Sequence, residues 1–443
     1  MVDNCKAIVF VFHQKPKVFE CPENHRFSMW IKNSQKRHRE FFILILSLKI
    51  MKKYELLAPV GDFPMLVAAV NAGADAVYFG LQEFTMRKGS KNFKISDLDR
   101  TKKICTPKGV KRYLTINTII YDKELRIVEN IIKKSKRYIN AVICWDLSVI
   151  NLCKKHKIPF HISTQASVAN SETAKFYKKL GAKRIVLARE LNLKQIKEIS
   201  KIINVECFAH GAMCVSVSGR CFISQFLFNK SANRGECIQP CRRSYIVKDK
   251  QEGYELEIDN DKVLSAKDLC TLPFIEKMKK AGVKSFKIEG RNRDSRYVDS
   301  VVRVYRKALD KKLSEKEIQK SIEELKKVYN RGFSSGFYLG LPAPDDFARV
   351  EHSASTEKKH FVGKITHYYP KLKVAAIRLV SGLKVNDEII IIGKTTGLEK
   401  SKIEHMEINR KPVQKSEKGN EISIKSPKVR KGDEVFLIQK IKR

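Results

Sequence analysis

The sequence predicts an α/β protein: a (β/α)8 barrel interrupted by a long cysteine-bearing insertion and followed by a small all-β barrel. Three observations carry that prediction. Eight short β-branched or apolar runs recur from Tyr54 onward, most of them separated by amphipathic stretches at helical spacing. About seventy residues lie between the seventh run and the eighth, where a short loop and one helix would suffice. From His360 to the end, short alternating runs are punctuated by Gly-Lys, Gly-Leu and Lys-Gly-Asp-Glu turns.

The eight runs fall at Tyr54–Ala58, Ala76–Phe79, Arg112–Ile119, Ala141–Cys144, Phe160–Ser163, Arg184–Leu187, Val205–Phe208 and Val283–Ile288. Lys123–Lys136, Ser171–Leu180 and Leu193–Ile202 repeat apolar residues three and four apart, the stripe of a helix lying on a sheet. Eight strand–helix units suit a closed TIM-like barrel, with an open doubly wound sheet as the alternative. Helices are also expected over Leu269–Lys280, with Cys270 at its start, and over Ser314–Tyr329. Pro342, Pro344 and Asp345-Asp346 mark a linker. The expected units are therefore a barrel over 51–340 with its insertion at about 211–262, a linker over 341–357 and a small β-barrel over 358–443. Residues 1–50 show no clean periodicity, whereas Met51-Lys52-Lys53-Tyr54 opens abruptly as a strand. Met51 is read as the natural start. Asp3, Glu20 and Glu23, with no small-residue cleavage site, argue against a targeting peptide.

At 443 residues, 43% of them hydrophobic, the chain can bury a large barrel core and a smaller one beside it. The longest apolar run, Phe41–Leu48, falls far short of the roughly 18 to 20 residues needed to span a bilayer, so a cytoplasmic protein with no membrane partner is expected. A formal net charge of +40 favours polyanions, because each phosphate neutralised by lysine or arginine releases condensed counterions. A lysine-biased composition produces the same charge, and charge does not choose among RNA classes. Eleven cysteines without a secretory signal read as reduced thiols rather than a disulfide scaffold. Cys144 and Cys153 lie in apolar, regular segments and read as buried hydrophobes.

Cys214, Cys221, Cys237 and Cys270 stand in or beside the insertion, in loop sequence containing Gly, Ser and Arg. Zinc ribbons use two tight pairs, and only Cys237 and Cys241, with three residues between them, form one. Widely spread single cysteines suit a cubane iron–sulfur cluster, whose corners can be reached from separate loops. Gly211, Gly219 and Gly235 would let backbone amides approach the sulfurs.

Polar residues close several strands: Gln165 after the fifth, Arg189 after the sixth, Glu206 and His210 flanking the seventh, and Lys287, Glu289 and Arg291 at the eighth. In a barrel such tails converge on one mouth, giving His210, Glu206 and Glu289 as candidate acid–base groups. Plain readings stand beside these: a packed histidine for His210 and a structural ion pair for Glu289 and Arg291. Arg234, Arg242 and Arg243 crowd the cysteine loop, where guanidinium forks could hold carboxylate or phosphate.

The segments Glu206-Cys207-Phe208-Ala209-His210-Gly211-Ala212-Met213-Cys214, Gly219-Arg220-Cys221-Phe222-Ile223-Ser224 and Asn233-Arg234-Gly235-Glu236-Cys237-Ile238-Gln239-Pro240-Cys241-Arg242-Arg243 closely resemble the signature of the collagenase-like peptidase family. Ser163–Ala169, Leu187–Leu191 and Lys287–Arg291 match it too, and the likeness is strong over about 51–340. Members studied as enzymes resemble oxygen-independent hydroxylases of transfer RNA, ribosomal RNA or ubiquinone precursors, and this chain looks most like the transfer RNA branch. The resemblance implies a four-iron four-sulfur cluster on Cys214, Cys221, Cys237 and Cys270, with Cys241 an extra thiol, and 5-hydroxyuridine formation at the wobble position of tRNA with prephenate as co-substrate. His210 or Glu206 would then move protons. Arg189 and Arg291, with Lys287, Gln165, Arg242 and Arg243, would bind substrate. The older name implies the competing reading, a peptidase. His-Glu-x-x-His is absent, and Gly332-Phe333-Ser334-Ser335-Gly336 follows a helix rather than the strand a nucleophile elbow needs.

Overall fold

The computed structural model describes residues 53–217, 219–245 and 264–441, so the reading of residues 1–50 lies outside the described residues, as does the insertion segment 246–263. The strands of the first sheet are β1 (Glu55–Pro59), β2 (Ala76–Gly80), β3 (Lys111–Thr115), β4 (Ala141–Cys144), β5 (Phe160–Ile162), β6 (Arg184–Val186), β7 (Val205–Gly211), β8 (Asp268–Cys270) and β9 (Ser285–Ile288). β1 pairs with both β2 and β9, and β7 with both β6 and β9, all parallel. Eight strands thus close into a ring through β9, and the open-sheet alternative is excluded.

A helix follows each barrel strand: α1 (Phe63–Asn71), α2 (Leu98–Cys105), α3 (Leu125–Ser135), α4 (Leu147–Lys155), α5 (Ser171–Leu180), α6 (Leu193–Ser200), then α7 (Ile223–Phe228) inside the insertion, α8 (Ile275–Lys280) and α9 (Ser295–Asp310). Their apolar faces and the outward residues of the strands form one core, including Leu56, Phe79, Leu114, Val142, Ile185, Phe286 and Val301, all fully buried. Cys144 and Cys153 are fully buried within it.

The helix expected over Leu269–Lys280 is shorter than its sequence pattern. Asp268–Cys270 forms β8 instead, antiparallel to the end of β7, with His210 opposite Cys270 and Gly211 opposite Leu269. Pro273 has no N–H to give and fits only a first helical turn, so the α-helix starts beyond it. Asp268 is held by the buried guanidinium of Arg331 at 2.7 Å.

From Glu357 the chain forms an antiparallel eight-stranded sheet and a two-stranded partner, packed around their own core of Val362, Ile377, Ile391, Ile422 and Val435. Ile390 and Leu398 of this sheet pack on Ala68 of α1. Lys359 reaches Asp294 at 2.6 Å and Arg296 of α9 pairs with Glu357, so the module is joined to the barrel by both apolar and ionic contacts.

Candidate active site

Alternation along β7 turns Glu206 and Phe208 into the barrel lumen. Glu206 is fully buried there, 2.9 Å from Lys287 Nζ and 3.0 Å from Arg184 Nη1, with Ser285 and Glu55 in the same network. Burial opposes its charge, but Lys287 and Arg184 overcome that and hold the carboxyl below its usual range. Glu55, Arg184 and Ser285 are the first residues of β1, β6 and β9. Glu206, expected at the mouth, therefore sits at the amino-terminal end of the lumen, away from the cysteine loops, and Lys287 is bound to it.

His210 departs from the expectation for a different reason. Phe208 is in register with Lys287 of β9, but His210 is in register with Ile288, so one extra residue is accommodated on β7 between them. Such a bulge transfers the following side chain to the other face. His210 consequently packs behind the sheet, against the rings of Tyr297, Tyr305 and Phe333. Burial pushes its imidazole down to about 3.

The mouth itself is built from arginines around one carboxylate. Glu289 Oε1 accepts from Arg87 Nε at 3.2 Å and Nη2 at 3.1 Å, and Oε2 lies 3.4 Å from the Tyr78 hydroxyl. Burial alone would raise this carboxyl, yet Arg87, Arg189 and Arg291 hold it at about 2, so it stays charged and anchors them. Arg291 donates to Thr85 Oγ1 at 2.6 Å and Thr115 Oγ1 at 3.0 Å, and burial brings its guanidinium down to about 10. Gln165 lies beside Ser163 and Asn117 on the same rim. Arg189 lies over the Phe208 ring at 3.7 Å and donates Nη1 to the Ala212 carbonyl, while its Nε and Nη2 are buried with no hydrogen-bond partner among the described residues.

Beyond this rim the insertion folds over the barrel. Gly235 lies against the Thr85 carbonyl at positive φ, leaving no room for a Cβ, and Gly219, also at positive φ, packs on the end of the Met86 side chain. Arg234 pins the loop to Glu124 at 3.0 Å, and Arg242 pins it to the Ala266 carbonyl at 2.8 Å. Arg243 is exposed, its guanidinium 4.8 Å from the Phe228 ring.

This folding encloses a cavity of about 80 Å³ lined by Cys214, Cys221, Cys237 and Cys241 together with Arg87, Arg189 and Arg242. Burial pushes the Cys241 thiol up, Arg242 draws it down, and the sulfurs of Cys214, Cys237 and Cys221 add to the rise. Among the described residues no three His, Cys, Asp or Glu side chains converge on a single ion position. The thiols ring a space rather than meet at a point. A lone tetrahedral zinc needs sulfurs at about 2.3 Å from one centre, whereas a polynuclear cluster spreads its terminal thiolates over a larger body. Cys270 is not in this lining. It is buried on β8, its sulfur 3.7 Å from the Tyr305 hydroxyl, and burial raises its thiol to about 11.

Three contributors were not singled out from the sequence: Arg87, Tyr78 and Cys241 as a cavity thiol. The Cys237/Cys241 spacing was a visible signal for the last. Arg87 follows the second strand, a position open to the strand-end argument that found Arg189.

Fold and site together define a (β/α)8-barrel protein with a thiol-lined, arginine-walled cavity over its carboxyl-end mouth. The chain belongs to peptidase family U32, whose model matches residues 61–347. A collagenase of Porphyromonas gingivalis is 41% identical over 408 residues, covering 87% of this chain and 98% of the relative. The tRNA hydroxylation protein P1 of Bacillus subtilis is 34% identical over 357 residues, covering 78% and 84%. A 23S rRNA 5-hydroxycytidine synthase of Escherichia coli is 38% identical over 270 residues, covering 60% of this chain and 40% of the relative. Among the described residues no helix is long and apolar enough to cross a membrane.

Proposed function

We propose that this protein is an iron–sulfur-dependent RNA hydroxylase that works without molecular oxygen, forming 5-hydroxyuridine at the wobble position of tRNA with prephenate as co-substrate. The observation that carries the reading is the gathering of four thiols and three arginines around one cavity over the barrel mouth. The tRNA and rRNA hydroxylation relatives support the substrate class. Cys214, Cys221, Cys237 and Cys241 would hold a four-iron four-sulfur cluster, Cys241 taking the place that the family resemblance gives to Cys270. Bound there, the cluster would supply one-electron chemistry. Arg189, with two donor nitrogens free, would take a carboxylate of the co-substrate, and Glu289 would keep Arg87 aligned beside it.

The peptidase reading draws on the collagenase relative. A cysteine peptidase needs an imidazole beside an accessible thiol; His210 is turned to the far side of β7 from the cavity thiols, and the cysteine paired with it there, Cys270, is buried. The Cys214 sulfur instead contacts Ser216 Oγ at 3.6 Å. The Ser334 hydroxyl accepts from the Gly336 amide.

Nucleoside mass spectrometry on tRNA from cells with and without the gene tests the proposal. Loss of a 5-hydroxyuridine-type nucleoside on deletion, restored by wild type and not by Cys214→Ala, is the expected result. An unchanged tRNA profile with altered ribosomal RNA would move the substrate. Digestion of collagen peptides by the purified protein, abolished by Cys214→Ala, would favour the peptidase.

A further inference from the structure

A second, larger concavity lies between the barrel rim and the carboxyl-terminal sheet. It encloses about 1070 Å³ and is lined by the loops after β1, β2 and β9, the end of the helix that follows α9, and two turns of the sheet module. Leaving out Arg291, whose side chain turns into the barrel, nine basic residues and five acidic ones line it. The acids are all occupied. Asp62 pairs with Lys91 at 3.1 Å, Asp294 with Lys359 at 2.6 Å, Glu357 with Arg296, and Glu434 with Lys364 at 3.8 Å. Asp433 accepts from Thr396 Oγ1 and the Arg430 amide.

What is left over is positive. Arg293, Lys358, Lys394, Arg430 and Lys431 have no carboxylate partner among the described residues, and the last four are exposed. Arg293 lies on the Tyr329 ring, 3.4 Å from its centroid, which fixes the plane of the guanidinium and leaves its edge free for an oxyanion. The groove adjoins the mouth at Arg291. Arg291 contributes its backbone to the groove, where its carbonyl accepts from Ser90 Oγ at 2.9 Å, while its side chain enters the barrel to Thr85 and Thr115.

We propose that this groove is the phosphate track of the RNA substrate: barrel and sheet module together grip the sugar–phosphate backbone and leave a base at the rim free to enter the mouth. The inference rests on the RNA-hydroxylase reading above and gives the carboxyl-terminal module its role. Exposed lysines and an edge-on arginine provide charge without base-edge readout, so the groove would position RNA rather than select its sequence.

The test compares two full-length variants of equal charge change, both made at exposed lysines. Lys358→Glu/Lys394→Glu/Lys431→Glu alters the groove. Lys179→Glu/Lys194→Glu/Lys197→Glu alters α5 and α6 on another face. Binding of total tRNA is followed by fluorescence anisotropy across a salt series, with melting temperature and iron content measured alongside. The expected result is that the groove variant alone loses about tenfold or more in affinity, and that the slope of log affinity against log salt falls by about 0.7 to 0.9 per contact removed. If wild type binds tRNA and the two variants weaken it equally, or neither does, the groove is not the track and the hydroxylase reading stands. If wild type shows no salt-sensitive tRNA binding, the groove proposal falls and so does tRNA as the substrate of the hydroxylase reading.

Discussion

Cys241 and Cys270 differ in how their backbones place them. Cys241 sits in the short turn Pro240–Arg242 and faces the cavity, whereas Cys270 is fixed in β8 by pairing with His210. Cys241→Ala is therefore expected to lose most of its iron and visible absorbance after anaerobic purification. Cys270→Ala should keep both at a cost on the order of 1 kcal/mol from the small void it leaves. Iron loss in Cys270→Ala with retention in Cys241→Ala would restore the ligand set implied by family resemblance. His210 offers a second prediction at this scale. Its folded-state pKa, about 3, lies below the ordinary 6.5. The unfolded chain thus binds the proton first, so the stability due to this group is complete above about pH 6.5 and is lost as pH falls toward 3. His210→Phe, filling the same aromatic pocket, should remove on the order of 3 kcal/mol of that acid sensitivity between pH 7 and pH 4, read as a smaller drop in urea midpoint. It should also retain RNA hydroxylation, which a proton carrier would not.

The element that makes the site is the insertion, and its seating depends on contact with the loop after β2. Gly235 lies against Thr85 and Met86, and Lys88 donates its amide to the Gly235 carbonyl at 3.1 Å. Gly235→Val is expected to lift this loop, lowering iron content several-fold while far-UV circular dichroism stays unchanged. Of the described insertion residues, only Met213 belongs to the barrel's buried core. Loss of helical signal in Gly235→Val would mean that the insertion is part of the fold's foundation rather than a cover on it.

For the whole molecule, the decisive contact is between barrel and sheet module. Gly397 has positive φ and lies against Val67 and Ala68 of α1, so a side chain there would push the two apart. Gly397→Val should cost about 1 to 3 kcal/mol, seen in thermal unfolding, and should weaken tRNA binding because the groove spans the same junction. The polar lumen belongs to this scale too. The Glu55–Arg184–Glu206–Lys287 network ties β1, β6, β7 and β9 together at the barrel's amino-terminal end, the end opposite the chemistry.

Read alone, the sequence determined the eight strands, the long insertion, the separate β module and the peptidase-family signature. Each of these follows from local pattern: apolar periodicity, turn residues, and cysteines in a characteristic text. Tertiary structure decided where the side chains went. One bulge moved His210 behind its strand, and alternation inside a closed barrel carried Glu206 to the far end of the lumen. Proline and strand pairing converted the start of a pattern-based helix into β8 and held Cys270 away from the other thiols, while a turn brought Cys241 among them. Periodicity records which face a residue would occupy in an ideal element. A bulge, a closure or a docked loop changes that face through contacts with residues tens to hundreds of positions away, and no local pattern contains them.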